Sequence, residues 1–509
     1  MVDTEARNST GVVVAAFLAL AATYFTMASS DFVLAATQVD LAYTLDAANS
    51  LSFAPSAGSL VIVFLVGSLA DRWGPRPMLL GASAIFSVGA VLVCLAPSLI
   101  WVVAGRMLDG IGGVAMTIVG LSVINTTFTE SKQRARIFGF YAALTPALFI
   151  ISPPLAALLV DVVGWRGAVV PWILIGAATF IATLRYVPGG HESKTGELLT
   201  PLCAGLVLAG LALGAMNVNA NASVGLICFA IAVVALIALV ILLRRLPKPT
   251  LNVRWIRQPG VVLLIIILFL AVAPNLFFYT NLLLQYRYTM PRVGIALLLI
   301  VPQAFAVLGA LLSGRVSARI GPARAALIGL AASAVSCLGV FLVRADSPVW
   351  VPVLTLSVHA LPFSFVVGPL TNVLLGRAPT EASGTASAVR KATTNLASVF
   401  GGLILATLAF NAFKSKLSDI LANAGLATDV AERIAQEVRD GAVVDRMATT
   451  LSDPIAREAL LNKGAGLLEA QSWAFDVYGV MSAGVLLVAT LLMALYLRRA
   501  PRATETEPA

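Results

Sequence analysis

A run of about twenty mostly apolar residues recurs fourteen times along this chain, each run set off by charge or by Pro and Gly clusters. An α-helix needs about 20 such residues to cross a bilayer. The runs at 12–37, 52–70, 77–97, 100–124, 137–160, 168–187, 200–217, 225–243, 260–284, 294–313, 325–344, 349–375, 388–410 and 474–497 therefore predict spanning helices. Lipid offers no partners to backbone N–H and C=O groups, so such runs take the form that bonds within itself. Charged residues are 12% of the 509, about half the share in a soluble domain, and mean hydropathy is +0.93. A water-soluble fold is excluded, and the expected class is an all-α polytopic membrane protein.

In a soluble protein, a net charge of +9 and a pI near 9.6 would suggest a nucleic-acid partner. Here the basic residues fall in alternate loops. With both termini cytoplasmic, 22 of the 34 Lys and Arg lie in cytoplasmic segments, 4 in short outer loops and 7 in one long outer loop, while Arg106 is inside a run. Basic loops are retained on the cytoplasmic side. The bias predicts an even number of passages through a bacterial-type inner membrane and no nucleic-acid partner. Asp3, Glu5 and Arg7 precede the first run with no small-residue cleavage site, which marks a retained helix. Cys94, Cys203, Cys228 and Cys337 sit inside apolar runs without metal-ligand spacing, and no cofactor is expected.

The long outer segment, 411–473, has soluble character and reads as short amphipathic helices. Asp429 with Glu432 resembles a capping box, Val430, Ile434 and Val438 share a face, and Gly441 ends the run. Asp453 and Pro454 open another helix. Two readings are open: a structural lid, and a gating or docking element.

A second kind of repetition is more specific. The segment Gly67-Ser-Leu-Ala-Asp71-Arg72-Trp-Gly74-Pro75-Arg76 follows the second run, and Gly314-Arg-Val-Ser-Ala318-Arg319-Ile-Gly321-Pro322-Ala-Arg324 follows the tenth. Gly, Arg, Gly and Pro recur at one spacing, which implies a duplicated six-helix block of the kind found in secondary transporters. The block boundaries expected are 1–187 for the first bundle, 188–259 for a two-helix insertion with its linkers, and 260–509 for the second bundle, including the outer insert. Gly67, Asp71, Arg72, Gly74, Arg76 and Arg319 form the candidate conformational switch, with Arg72 suited to helix C-terminal carbonyls and Asp71 to a helix N-terminus. The competing reading is a plain cytoplasmic turn.

On these residues the chain resembles the major facilitator superfamily, whose loop between helices 2 and 3 carries this pattern, and in particular its fourteen-helix drug:proton antiporter branch. Arg106-Met-Leu-Asp109-Gly110-Ile-Gly112 is similar to that branch's helix 4 motif, Trp165-Arg166-Gly to the turn before helix 6, and Gln285 with Pro291 and Gly294 to the turn between helices 9 and 10. Arg377-Ala-Pro379-Thr-Glu381-Ala-Ser-Gly384-Thr-Ala-Ser387, followed by Arg390, is similar to the segment opening helix 13. The resemblance implies two six-helix bundles with helices 7 and 8 inserted between them. Two features depart from the branch: Ser152-Pro153-Pro154-Leu155-Ala156 stands where its helix 5 antiporter motif has Gly-Pro and paired glycines, and Asp109 stands where it usually has Gln.

Few ionisable residues lie deep inside the runs: Asp31, Arg106, Asp109 and His359. A charge at the bilayer centre costs about 2.5 to 3.5 kcal/mol even on insertion scales, so each must face a partner or a water-filled cavity. Asp31 and Arg106 both lie roughly 10 Å below the outer membrane face at 1.5 Å per residue, and Asp109 is one turn deeper than Arg106 on the same face. One guanidinium does not compensate two carboxylates, so one of the three-member set is expected to hold a proton near neutral pH. Asp31, Arg106 and Asp109 are the candidate proton-coupling residues, with a static clamp as the rival reading.

The candidate substrate residues are Tyr24, Asn275, Phe278, Tyr279, Asn281, Gln285 and His359, where His359 also reads as a packed neutral histidine. Aromatic walls with few polar groups suit a lipophilic or amphipathic molecule, and Pro274 breaks the helix beside the main group. The expected function is secondary export of lipophilic or amphipathic small molecules by alternating access, with inward proton movement as the drive; substrate, protons and membrane lipids are the partners. The alternatives are an exporter or flippase of a lipid or lipid-like metabolite with weak or no proton coupling, and a polytopic transferase. With two histidines, no clustered metal ligands and no phosphate-binding Gly-rich loop, the chain is not expected to be an enzyme.

Overall fold

The computed structural model describes every residue except 1, 44, 128–130, 190–196, 218–221, 247–252, 289, 291, 379–382, 424, 440–464 and 500–509. Among the described residues the chain is helical, without strands. The helices are α1 (Val2–Leu41), α2 (Leu45–Trp73), α3 (Pro75–Cys94), α4 (Leu99–Thr127), α5 (Ser131–Tyr186), α6 (Leu199–Asn217), α7 (Ala222–Arg245), α8 (Val253–Ile256), α9 (Pro259–Val272), α10 (Leu276–Tyr288), α11 (Arg292–Leu298), α12 (Ile300–Ile320), α13 (Pro322–Cys337), α14 (Trp350–Leu375), α15 (Ser383–Asn423), α16 (Thr428–Arg439) and α17 (Ala465–Arg499).

Among the described residues, eleven stretches are long and apolar enough to cross a membrane. One of them, Ala147–Tyr186, is broken at Gly164, whose φ of 77° takes the chain out of the helix between the runs expected at 137–160 and 168–187. Two shorter apolar helices, Ala54–Ala70 and Pro259–Val272, lie at the runs expected at 52–70 and 260–284. The second of these runs is interrupted at residues 273–275, beside Pro274, and resumes as α10.

The helices pack in two groups. In the first, α1 packs on α4 and α5, α2 on α4, and α3 on α4 and α5. In the second, α14 packs on α12 and α13, and α17 on α9, α13 and α15. The hairpin α6–α7 lies against α2 and, through α6, against α15. Its outer helix, α7, buries little beyond Gly225, Ala232 and Ala235 and leaves Leu226, Ile227, Ile231, Val233 and Val234 exposed, a surface suited to lipid. The groups meet where α2 touches α15 and where α5 touches α11 and α12.

At the end of the molecule bearing α16, here the cap end, a buried cluster crosses between the groups: Phe32 of α1 and Ala156 and Ala157 of α5 join Leu276, Tyr279, Ile295 and Leu299. This end is sealed by apolar contact. The sequence expectation of separate short helices throughout 411–473 needs correcting. No Gly or Pro stands between Leu403 and Asn423, so α15 continues through 411–423 and ends just before Gly425, whose φ is 103°. Leu417 and Leu421 on this extension pack with Ala431, Ile434 and Ala435 of α16 and with Leu467 and Ala470 of α17. Val430 joins that face, while the side chain of Val438 and the expected helix after Asp453 lie outside the described residues.

Candidate functional site

The closest charged contact in the membrane interior is on α4. Arg106 ion-pairs with Asp109 one turn on, and the two residues are 2% and 5% exposed. The guanidinium lies over Trp172 at 5.2 Å from the ring centroid, and its Nε has no hydrogen-bond partner among the described residues. The indole Nε1–H of Trp172 donates to Ser29 Oγ at 2.9 Å, tying the far wall of the site to α1. Burial this deep follows from the glycines beside the pair. A Cβ on Gly110 would lie 1.9 Å from the carbonyl oxygen of Pro55, and one on Gly112 2.6 Å from that of Ala82. Here α4 meets α2 and α3 backbone to backbone, which excludes solvent from its charged face.

Asp31 of α1 is within electrostatic range of Arg106, and its side chain hydrogen-bonds Asn281 of α10. Asn281 is 2% exposed, whereas Asp31 is partly exposed. The sequence expectation brought Asp31, Arg106 and Asp109 together and put Asn281 in a separate substrate group. The structure gives Asp109 to Arg106 as its direct partner and sets Asp31 between Arg106 and Asn281, so the charged set extends across both helix groups. Asn281 lacked a sequence signal for this placement, since it depends on how the groups dock.

The other expected substrate residues separate. Tyr279 stacks on Tyr478, with centroids 4.5 Å apart, and on Phe475 at 5.9 Å, within the apolar cluster of the cap end. Asn275 caps this aromatic stack through its backbone N–H, which donates to Tyr478 Oη at 2.9 Å. The side chains of Phe278 and Gln285 lie outside the described residues. His359 of α14 is buried, its Nδ1 2.9 Å from Ser336 Oγ and 3.5 Å from Cys337 Sγ, with Phe363 stacked at 5.5 Å. Tyr24 is partly exposed and 6.4 Å from Phe149.

Arg390 and Lys391, which the sequence reading counted among the cytoplasmic basic residues, fall at the start of the run expected at 388–410. They stand inside α15, within the apolar stretch that begins at Ala388, and Arg390 is within electrostatic range of Tyr24 on α1.

The repeated turns share one backbone. Gly74 has φ 81° and ψ 167°, Gly321 has φ 85° and ψ 151°, and each is followed by Pro at the first position of the next helix. Glycine takes this conformation without penalty and Pro suits a helix start. Arg76 donates to the carbonyl oxygen of Leu184 at 2.7 Å, near the end of α5. This is the type of carbonyl contact expected of Arg72. The backbones of Asp71 and Arg72 are helical, and their side chains lie outside the described residues. Gly67 faces open space, and Arg319 is exposed at the end of α12.

Comparison with known proteins gives this geometry a family. The chain is 26% identical over 366 residues to the multidrug resistance protein Stp of Mycobacterium tuberculosis, an alignment covering 69% of this chain and 67% of that one. It is 27% identical to the methylenomycin A resistance protein of Bacillus subtilis (78% and 87% covered) and 25% identical to the tetracenomycin C resistance and export protein of Streptomyces glaucescens (86% and 82%). In fold it is similar to a bacterial homologue of the human lysosomal transporter Spinster, solved inward-facing and unoccupied, with TM-score 0.61 and 15% identity over 96% of this chain and 97% of that one. It is also similar to a peptide transporter of the POT family, with TM-score 0.58, 18% identity and 99% of both chains covered. Residues 16–402 match the Major Facilitator Superfamily profile, and the chain, a multi-pass membrane transporter, belongs to that superfamily.

Proposed function

We propose that this transporter exports lipophilic or amphipathic small molecules across a bacterial inner membrane, driven by inward proton movement. The observation that carries the reading is the charged set at the group interface: Arg106 paired to Asp109, with Asp31 held between Arg106 and Asn281 of the opposite group. Two carboxylates share one guanidinium within the membrane, so one of them takes up a proton at modest cost. Protonating Asp31 neutralises a group whose partner lies across the interface, and that weakens the contact holding the cap end closed. A proton is thereby linked to the relative position of the groups, the requirement for alternating access. The names of the relatives, which concern multidrug resistance and antibiotic resistance or export, support the substrate class.

In this reading the chain crosses the membrane fourteen times with both termini cytoplasmic. Residues 1–187 and 260–509 are the moving bundles, and 188–259 is the inserted hairpin with its linkers. The repeated turns at Gly74 and Gly321 are their cytoplasmic joints, and Asp71 and Arg72 act in switching rather than binding. The test is ethidium uptake into everted vesicles from cells expressing the chain. Uptake that appears with an imposed pH gradient and collapses with nigericin is expected. Uptake indifferent to the gradient would favour an exporter or flippase of lipid-like molecules without proton coupling.

A further inference from the structure

Arg390 and Lys391 stand two and three residues inside the apolar stretch of α15, and neither has an ion-pair partner among the described residues. Their neighbours on α15 fix the helix. Val389 packs within the second group, while Ala392 packs with Ala57, Leu60 and Val63 of α2, and Asn395 hydrogen-bonds Ser59 of α2. The stretch thus lies at the junction of the groups rather than on the lipid face. Arg390 lies within electrostatic range of Tyr24 of the opposite group. Tyr24 is about 21 Å along α1 from Thr10, near the middle of that span. Arg390 is thus within electrostatic range of the middle of α1.

Tyr24, with Phe149 6.4 Å from it, gives the Arg390 side an aromatic surface. Two acids of the first group are engaged elsewhere: Asp109 with Arg106, and Asp31, two turns along α1 from Tyr24, with Asn281. Adjacent cations repel one another in a low-dielectric space, and an anion that enters relieves both the repulsion and the lack of a partner. We propose that Arg390 and Lys391 form an anion-recognition subsite, taking a carboxylate, phenolate or comparable acidic group borne on an apolar body that lies against Tyr24 and Phe149. That the ligand is cargo rests on the export reading above; the site itself does not. A free amphiphile and an anionic lipid headgroup share this chemistry.

The test uses the full chain in phosphatidylcholine nanodiscs and the fluorescent pair anthracene-9-carboxylate and anthracene-9-carboxamide. The wild type should bind the carboxylate about tenfold more tightly than the neutral amide, as a charge-assisted contact requires. Lys391→Gln and Arg390→Gln should each remove most of that preference while leaving amide affinity nearly unchanged, and Arg390→Lys, which keeps the charge, should retain it. Equal affinity for both probes in the wild type, or a preference that survives both Gln substitutions, overturns the proposal. Adding phosphatidylglycerol separates the sources: competition with the carboxylate identifies a lipid headgroup as the natural anion, and its absence identifies a free amphiphile. Gradient-driven ethidium uptake is measured alongside. If it persists without any carboxylate preference, only the subsite fails; if it is absent while the preference holds, only the export reading fails.

Discussion

The fourth helix of each group carries a titratable side chain at nearly the same station, and the two are held in opposite ways. On α4, Arg106 comes seven residues after Leu99 and meets a carboxylate, an indole face and the field of Asp31. On α14, His359 comes nine residues after Trp350 and meets a hydroxyl, a thiol and a phenyl ring. One site is charged and reaches across the interface; the other is satisfied within its own group by neutral partners. In the proposed reading, the repeated scaffold carries its proton chemistry in the first group only. The turns teach the converse, since Gly74 and Gly321 share dihedral angles.

The largest effect that would break this contrast is on transport. Asp31→Asn mimics a permanently protonated acid and removes a charge within the membrane without creating one, so it should abolish gradient-driven uptake while the purified protein stays folded by thermal shift. Next, Arg106→Ala leaves two carboxylates without their cation and should destabilise the protein by roughly 3 to 5 kcal/mol, less if one acid protonates. Adding Asp109→Asn to Arg106→Ala should restore part of that loss, and no recovery in the double variant would count against a shared network.

Smaller effects probe where the groups are alike. A Cβ at Gly321 meets nothing within 4 Å, so Gly321→Ala carries only the backbone penalty of its positive φ, about 1 to 3 kcal/mol. Gly74→Ala should cost a similar amount, and a large difference between them in unfolding measurements would show that the copies bear different loads. The smallest effect belongs to His359→Gln: the loss of its contact with Ser336 should cost about 0.5 to 1.5 kcal/mol and leave the pH dependence of uptake unchanged. A shifted pH profile would mean that the second group shares the proton chemistry.

Much of the scaffold was legible in the sequence because apolar length, Pro and Gly act locally. Pro274 marked the break between α9 and α10, and the spacing around Gly74 and Gly321 marked the shared turn. Arg106 and Asp109 were legible for the same reason, being one turn apart on one helix. What escaped depends on docking. Nothing local to Asn281 announces a bond to Asp31, some 250 residues away in sequence, and nothing local to Tyr279 separates an open wall from a stack with Tyr478.

The central claim is that carboxylates of the first group carry the proton that substrate binding displaces. Proton release on ligand addition, followed with a pH dye in weakly buffered detergent solution near neutral pH, tests it without any transport step. The account predicts release of about one proton per bound ligand in the wild type, with the signal lost in Asp31→Asn or Asp109→Asn while ligand still binds. Undiminished release in both variants would contradict it and leave Arg106–Asp109 as a clamp between helices.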